Sequence, residues 1–167
     1  MRKTLWTLGI ACVFCLQPAV AQAQKLVYLV RHAERADDGM AAELQQADPA
    51  LSNAGEQRAE RLAVMLGGAR IVAVYATEYM RTRDTGQPLA SRLGLAVLES
   101  SARNPGSLVA RLRAEHSDDI VLIIGHSNTV PEIIKAFGGP DVSIAGDEYE
   151  NLFVLVPASG ALSRIRY

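Results

Sequence analysis

Two histidines and two arginines are the residues of this sequence best suited to chemistry on a phosphoryl group. Arg31 and His32 directly follow one apolar run, His126 follows another, and Arg81 comes shortly after a third. A guanidinium stays charged and binds two oxygens of a phosphate at once. A neutral imidazole can attack phosphorus through a ring nitrogen, forming a covalent intermediate that water then resolves. These residue types therefore predict phosphoryl transfer through a phosphohistidine, provided that the fold brings them together.

The elements that must position these side chains alternate between strand and helix patterns. Continuous apolar runs predict buried strands, and apolar residues at helical spacing lie between them. The predicted strands are residues 25–30, 71–75, 95–98 and 120–124, followed by a hairpin of 152–156 and 161–166. This order predicts an α/β fold: a three-layer sandwich with a mostly parallel central sheet and helices on both faces. Ligands of such sheets bind outside the carboxyl ends of the strands, where the candidate residues stand.

Four sequence segments carry a resemblance to a known family. They are LVRHAE at 29–34, the pattern LSxxGxxRA at 51–59, VYATEYMRT at 74–82 and IIGHSNT at 123–129. Taken in this order and at these spacings, they resemble the signature segments of the histidine phosphatase superfamily, also called the phosphoglycerate mutase-like family. The resemblance covers about residues 26–129 and implies the open α/β sandwich of that family.

The resemblance also implies a role for each of the four central residues. By position, His32 would be the phosphorylated nucleophile, Arg31 and Arg81 would bind the phosphoryl group, and His126 would complete the pocket. No metal or organic cofactor is implied.

The proton donor to the leaving group stays open at this point. Glu99 stands about where the larger branch of the family has its acid, and Glu34 is the alternative because it is near the nucleophile. In the phytase-like branch the acid follows the second histidine, but here Ser127 takes that place. The chain could also lack a dedicated acid, which suits substrates with good leaving groups.

The remaining polar candidates have two interpretations each. Ser127 and Asn128 could bind substrate or could cap the helix predicted to begin at Pro131. His116 lies near a predicted helix C-terminus, where an imidazole interacts favourably with the helix dipole, so we interpret it as structural. A metal site is not expected, because the three histidines do not pair at ligand spacing.

The first 23 residues have the pattern of a secretory signal peptide. Residues 2 and 3 are basic, an apolar run spans 5–16, and small-x-small cleavage patterns end at Ala21 and Ala23. Cys12 and Cys15 both lie inside this leader, so we assign them no redox or metal role. We therefore expect a leader of 1–23 and a single histidine phosphatase domain of 24–167. The mature domain would be exported to the periplasm or the medium, with no stable membrane insertion after leader removal.

The net charge of the chain limits the kinds of partner that it could bind electrostatically. The formal net charge is -1 and would become about -3 once the two basic residues of the leader are removed. Such weak acidity gives no electrostatic basis for binding nucleic acid. The sequence thus predicts a phosphomonoester hydrolase acting outside the cytoplasm on a small phosphorylated substrate or an envelope phosphoryl group. The alternatives are a non-catalytic phosphoryl-binding module of the same fold and a phosphomutase.

Overall fold

The computed structural model describes residues 25–167, which form one six-stranded sheet with helices on both faces. The strands are β1 (Leu26–Arg31), β2 (Ala73–Thr77), β3 (Val97–Ser100), β4 (Ile120–Gly125), β5 (Asn151–Val156) and β6 (Ala161–Arg166). The helices are α1 (Asn53–Leu66), α2 (Met80–Leu93), α3 (Pro105–Glu115) and α4 (Thr129–Ala136), with a short 3-10 turn at Ala42–Leu44. The expected leader of residues 1–23, with its two cysteines, lies outside the described residues.

The strand order is β3-β2-β4-β1-β5-β6, and the first four strands in this order are parallel. β5 and β6 form the predicted hairpin, and β5 pairs antiparallel with β1. The sequence prediction of a mostly parallel α/β sandwich is therefore confirmed. Because β1, β2 and β4 are neighbours, their carboxyl ends meet at one edge, and Arg31 lies opposite Gly125 in register.

The two faces of the sheet bury separate apolar clusters. Alternation of side chains along β1 sends Val27 and Leu29 to one face and Val30 to the other. Helices α3 and α4 cover the first face, and α1 and α2 cover the second. Each helix contributes an apolar stripe, such as Leu62, Ala63 and Leu66 on α1. Both faces of the central parallel strands β1, β2 and β4 are thus covered, which explains why their sequences are mostly apolar.

Two element boundaries differ from the sequence expectation near the site. β2 begins at Ala73 and extends to Thr77, later than the predicted 71–75. Helix α4 begins at Thr129 and not at Pro131, because the Val130 amide already donates to the His126 carbonyl at 3.1 Å. The Thr129 hydroxyl also accepts a hydrogen bond from the backbone amide of His126 at 2.8 Å. Between residues 25 and 167, no helix has the length and apolar character needed to cross a membrane.

Candidate active site

A cavity of about 380 Å³ opens at the carboxyl ends of β1, β2 and β4. Its lining includes two histidines and four arginines, namely His32, His126, Arg31, Arg35, Arg81 and Arg103. No aspartate or glutamate lines it within residues 25–167. The structure therefore brings together the two imidazoles and two guanidiniums singled out in the sequence, and it adds two further cations.

His32 is buried at the end of β1 with one ring nitrogen already engaged. Its backbone amide donates to the carbonyl of Gly125 at 2.9 Å, which extends the pairing of β1 with β4 by one residue. The Nδ1 atom lies 2.8 Å from the carbonyl oxygen of Ala33. Since a carbonyl oxygen only accepts, Nδ1 carries the proton and the Nε2 lone pair is free. This tautomer leaves Nε2 with the free lone pair that a nucleophile requires.

His126 meets His32 edge-on, with 5.3 Å between ring centroids and 66° between ring planes. Its Nε2 lies 2.8 Å from the hydroxyl of Thr77, the last residue of β2. Thr77 in turn lies 2.9 Å from the hydroxyl of Thr82 on α2. Two neighbouring strand ends and the start of a helix thus fix the second ring against the first.

Gly125 is required at the end of β4 because α4 packs closely on it. A Cβ atom there would lie 2.6 Å from the Thr129 hydroxyl oxygen, which belongs to the contact that orients the backbone of His126. These contacts assign Gly125 to the packing of α4 against the end of β4.

Both rings are neutral at neutral pH. Burial, together with the charges of His126, Arg31 and Arg81, outweighs the opposing hydrogen bond to Ala33 and lowers the pKa of His32 to about 3. Burial likewise lowers the pKa of His126 to about 4, with Arg81 as the next contribution. A buried imidazole beside two guanidiniums cannot easily hold a proton. His32 is therefore held in the form that a nucleophile requires.

Arg31 is held by neutral groups from the segment that precedes β5. Its Nη1 atom donates to the carbonyls of Ala145, Gly146 and Glu148 at 3.0, 2.8 and 3.3 Å. Its Nη2 atom donates to the hydroxyl of Tyr149 at 3.1 Å, and the guanidinium carbon lies 4.0 Å from the centroid of that ring. Arg31 has no carboxylate partner within 4.0 Å among the described residues, so its charge is not cancelled by an ion pair.

Tyr149 links the Arg31 guanidinium to Asp38, a carboxylate outside the cavity lining. Its hydroxyl donates to Asp38 at 2.7 Å while it accepts from Arg31. Burial, followed by the hydrogen bond to Asp38, raises the pKa of Tyr149 to about 12, so the phenol stays protonated. The ring centroid also lies 5.9 Å from that of His32. Tyr149 therefore fixes the Arg31 guanidinium beside His32.

Arg81 is held differently, by one carboxylate and one aromatic ring. Its Nη1 atom lies 3.4 Å from Asp48, which also accepts the backbone amide of Met80 at 2.9 Å and so caps α2. Its guanidinium carbon lies 4.3 Å from the ring centroid of Tyr79. The Nε atoms of both Arg81 and Arg31 are buried with no hydrogen-bond partner within residues 25–167. Unpartnered buried donors on two cations fit a site completed by an anion.

Glu34 belongs to a structural pair and not to the cavity. Arg58 binds its carboxylate through two nitrogens at 2.6 to 3.0 Å, and these contacts outweigh burial and lower the pKa of Glu34. A Cβ at Gly55 would lie 2.3 Å from the carbonyl oxygen of Glu34, and Ser52 caps α1 by accepting from the Gly55 amide. The segment 51–59 thus docks α1 against the loop that carries His32.

Glu99 is not brought into the cavity. Its side chain is 67% exposed, and its carboxylate lies 4.0 Å from Arg83 in a separate surface depression shared with Glu78 and Ser100. The edge strand β3 carries it away from the two histidines, so its expected role as the acid has no geometric support.

Ser127 and Asn128 both line the cavity, as one of their two interpretations expected. Asn128 stands at the N-cap position of α4 but makes no side-chain capping bond, which weakens the other interpretation. His116 lies outside the cavity, bonded to Tyr75 at 3.0 Å and to Asp119 at 2.9 Å. Within residues 25–167, no cluster of three or more His, Cys, Asp or Glu side chains could hold a metal.

Sequence reasoning missed several residues around the four central ones. Tyr149, Asp48 and Tyr79 contact the arginines, and Arg35 and Arg103 line the cavity. Each lies on a loop, where no periodicity indicates the direction of a side chain. Only the position of Tyr149 before a strand beside β1 could have pointed to it, and that required knowing the strand order.

Comparisons with known proteins agree with this geometry. The family model described as histidine phosphatase superfamily (branch 1) matches residues 27–104. No curated protein matches the sequence significantly.

Several solved structures share the fold. The protein histidine phosphatase SixA complexed with tungstate is 21% identical, with 84% of this chain and 94% of that chain covered and a TM-score of 0.61. A mycobacterial glucosyl-3-phosphoglycerate phosphatase complexed with VO3 is 16% identical, with 85% and 97% covered and a TM-score of 0.65. The Bacillus stearothermophilus protein YhfR is 15% identical, with 86% and 96% covered and a TM-score of 0.67. At these identities the likeness establishes the fold.

Proposed function

The chain belongs to the histidine phosphatase superfamily, and we propose that it is a phosphomonoester hydrolase that works through a phosphohistidine intermediate on His32. Membership of the superfamily supports phosphatase activity. The observation that carries the proposal is the pairing of a neutral His32, whose Nε2 is free, with two guanidiniums that retain unpartnered donors.

The reaction takes place in two displacements. The Nε2 lone pair of His32 attacks phosphorus, the bond from phosphorus to the ester oxygen breaks, and the leaving group departs as an oxyanion. That oxyanion takes a proton from solvent water, and the hydroxide so formed is neutralised by the proton that the second water releases. A second water then attacks the phosphohistidine, the P–N bond breaks, and inorganic phosphate is released with neutral His32 restored. Arg31 and Arg81 offset the charge on the equatorial oxygens, and His126 lies beside the transferring group.

The lining of the cavity favours substrates with good leaving groups. No carboxylic acid lines it within residues 25–167, and both imidazoles are neutral. The leaving oxygen therefore relies on its own stability as an anion. We expect aryl phosphates to react faster than simple alkyl phosphates.

We place this activity outside the cytoplasm. The support is the basic, apolar and small-residue pattern of residues 1–23. Small phosphorylated molecules and phosphoryl groups of envelope glycans or lipids are the substrates that such a location offers. N-terminal sequencing of the secreted or periplasmic protein should find cleavage after Ala21 or Ala23. A protein that retains Met1 in the cytoplasmic fraction would contradict this placement.

Steady hydrolysis of 4-nitrophenyl phosphate tests the activity. The wild-type protein should turn over many equivalents, and His32→Ala should reduce kcat by at least about 10³-fold because the nucleophile is removed. His116→Asn is the matched control, since His116 lies outside the cavity. Normal turnover by His32→Ala would refute the proposal.

A non-catalytic phosphoryl-binding module is the second candidate, favoured by the lack of an acid in the lining. It predicts release of one equivalent of 4-nitrophenol per protein with no further turnover. Continued linear release over many equivalents would exclude it.

A further inference from the structure

The cavity carries more positive charge than one phosphoryl group requires. Arg31 and Arg81 form the clamp, and Arg35 and Arg103 line the same cavity without a carboxylate among its lining residues. Its volume of about 380 Å³ is in the range of sites that hold a small organic molecule. The two additional guanidiniums are therefore available to contact the part of the substrate beyond the phosphoryl group.

Arg35 and Arg103 differ in what surrounds them. The Nε of Arg35 donates to Asp38 at 2.9 Å and lies 3.3 Å from Asp37, so its charge is locally balanced. Arg103 is exposed, and no carboxylate lies within 4.0 Å of its guanidinium among residues 25–167. Of these two arginines, Arg103 is thus the one whose charge no carboxylate of the described residues offsets.

The turn that carries Arg103 is fixed on both sides. The backbone amide of Ala102 donates to a carboxylate oxygen of Glu78 at 2.8 Å, and Glu78 directly follows β2. On the other side, the Asn104 side chain accepts from the Ser107 amide at 3.2 Å and caps α3. A fixed backbone limits the entropy lost when a side chain on it binds a ligand.

Glu78 anchors this turn without neutralising Arg103. Burial raises the pKa of Glu78, but the hydrogen bond from Ala102 and the nearby positive charges outweigh it, so the group stays ionised. Its carboxylate accepts from the Ala102 amide and lies more than 4.0 Å from the Arg103 guanidinium. Glu78 therefore has a structural role in holding this turn.

We propose that Arg103 binds a second anionic group of the substrate, so that the natural substrate is a small phosphomonoester that also carries a carboxylate or a second phosphate. This inference rests on the proposed hydrolase activity. The free guanidinium on an anchored turn, facing the same cavity as the nucleophile, is the juxtaposition that carries it.

Two aryl phosphates that differ only in charge test the inference. They are 4-(carboxymethyl)phenyl phosphate and its neutral carboxamide, whose phenol leaving groups are nearly matched. The ratio of their kcat/KM values should favour the acid about fivefold in the wild type, the upper range for an exposed ion pair. Arg103→Gln should reduce that ratio to about one. Because the readout is a ratio, any general loss of activity cancels.

Further variants and a third substrate sharpen the result. Glu78→Ala, which releases the turn, should lower the ratio partway, and Arg111→Gln is the matched control because Arg111 lies on α3 outside the cavity and pairs with Glu115. A 4-(phosphonomethyl)phenyl phosphate preferred above the carboxylate would identify the second group as a phosphate. A wild-type ratio of one, or an unchanged ratio in Arg103→Gln, would overturn the inference. Failure of the wild type to hydrolyse either compound would instead refute the proposed function.

Discussion

The two sides of the candidate active site hold their arginines by different means. Arg31 is surrounded by three carbonyl groups and the Tyr149 phenol, all neutral. Arg81 has one carboxylate contact, to Asp48 at 3.4 Å. The first arrangement positions a full positive charge before any ligand arrives. The second opposes the ligand, because Asp48 competes with an incoming phosphate for the same guanidinium.

Replacing each arginine by lysine should show the largest difference in activity between the two sides of the site. Lysine keeps the charge but cannot reproduce the fork geometry. Arg31→Lys breaks a fixed network and should lower kcat/KM for 4-nitrophenyl phosphate by 10²–10³-fold, on the order of losing one preorganised donor. Arg81→Lys should cost about tenfold, since its loosely held partner accommodates the change. Circular dichroism checks that both variants fold, and equal losses would contradict the comparison.

Both sides together keep the histidines neutral, which makes stability depend on pH. The pKa values of His32 and His126 are lowered to about 3 and about 4, so the unfolded chain takes up protons first as the pH falls below about 6.5. Stability from this source is complete above pH 6.5 and is lost progressively as the pH falls, down to about pH 4 for His126 and about pH 3 for His32. His126→Gln should remove roughly 1.4 kcal/mol per pH unit from the slope in that window.

Urea denaturation at a series of pH values measures this slope. The comparison uses the slope and not the absolute free energy of unfolding, so a general destabilisation by the substitution does not interfere. Identical slopes for wild type and His126→Gln would show that His126 titrates normally in the folded protein.

Removing the Tyr149 hydroxyl weakens only the Arg31 side. Tyr149→Phe keeps the ring over the guanidinium but loses the bonds to Arg31 and Asp38. We expect a rise in KM of about tenfold, the effect of one hydrogen bond to a charged group, with kcat changed less. Tyr28→Phe, a half-buried position on β1 away from the cavity, is the control. Equal effects of the two substitutions would remove the positioning role of Tyr149.

Neutralising Asp48 should strengthen ligand binding, unlike the substitutions above, and its effect should be the smallest of the set. Asp48→Asn keeps an acceptor for the Met80 amide but removes the charge that competes for Arg81. Inorganic phosphate should bind about threefold more tightly, a difference typical of an exposed ion pair. Isothermal titration measures the Kd. Weaker binding would show that Asp48 positions Arg81 for the ligand and does not oppose it.

The sequence predicted the part of the site that the sheet determines. Arg31, His32 and His126 follow apolar runs, and parallel strands place their carboxyl ends together whatever the loops do. Glu99 was assigned by its place after a strand, but β3 is an edge strand and extends to Ser100, which turns the Glu99 carboxylate toward Arg83. Strand periodicity alone did not specify this register.

The parts missed by the sequence analysis are contacts between segments distant in the chain. Arg31 and Tyr149 are 118 positions apart, and Asp48 and Arg81 are 33 apart. Both partners lie in loops whose course depends on long-range packing, which no local pattern encodes. The positions of the four central residues can thus be predicted from the ends of the strands that precede them. The groups that hold these residues are seen only in the three-dimensional structure.

Acid-quench labelling with a radiolabelled aryl phosphate tests the central claim, that Nε2 of His32 becomes covalently phosphorylated. The wild-type protein should carry a label that is labile to acid and stable to alkali, mapped by mass spectrometry to the peptide containing His32. His32→Ala should carry none, whereas His116→Asn should label like the wild type. An acid-stable label, or full labelling of His32→Ala, would contradict the account.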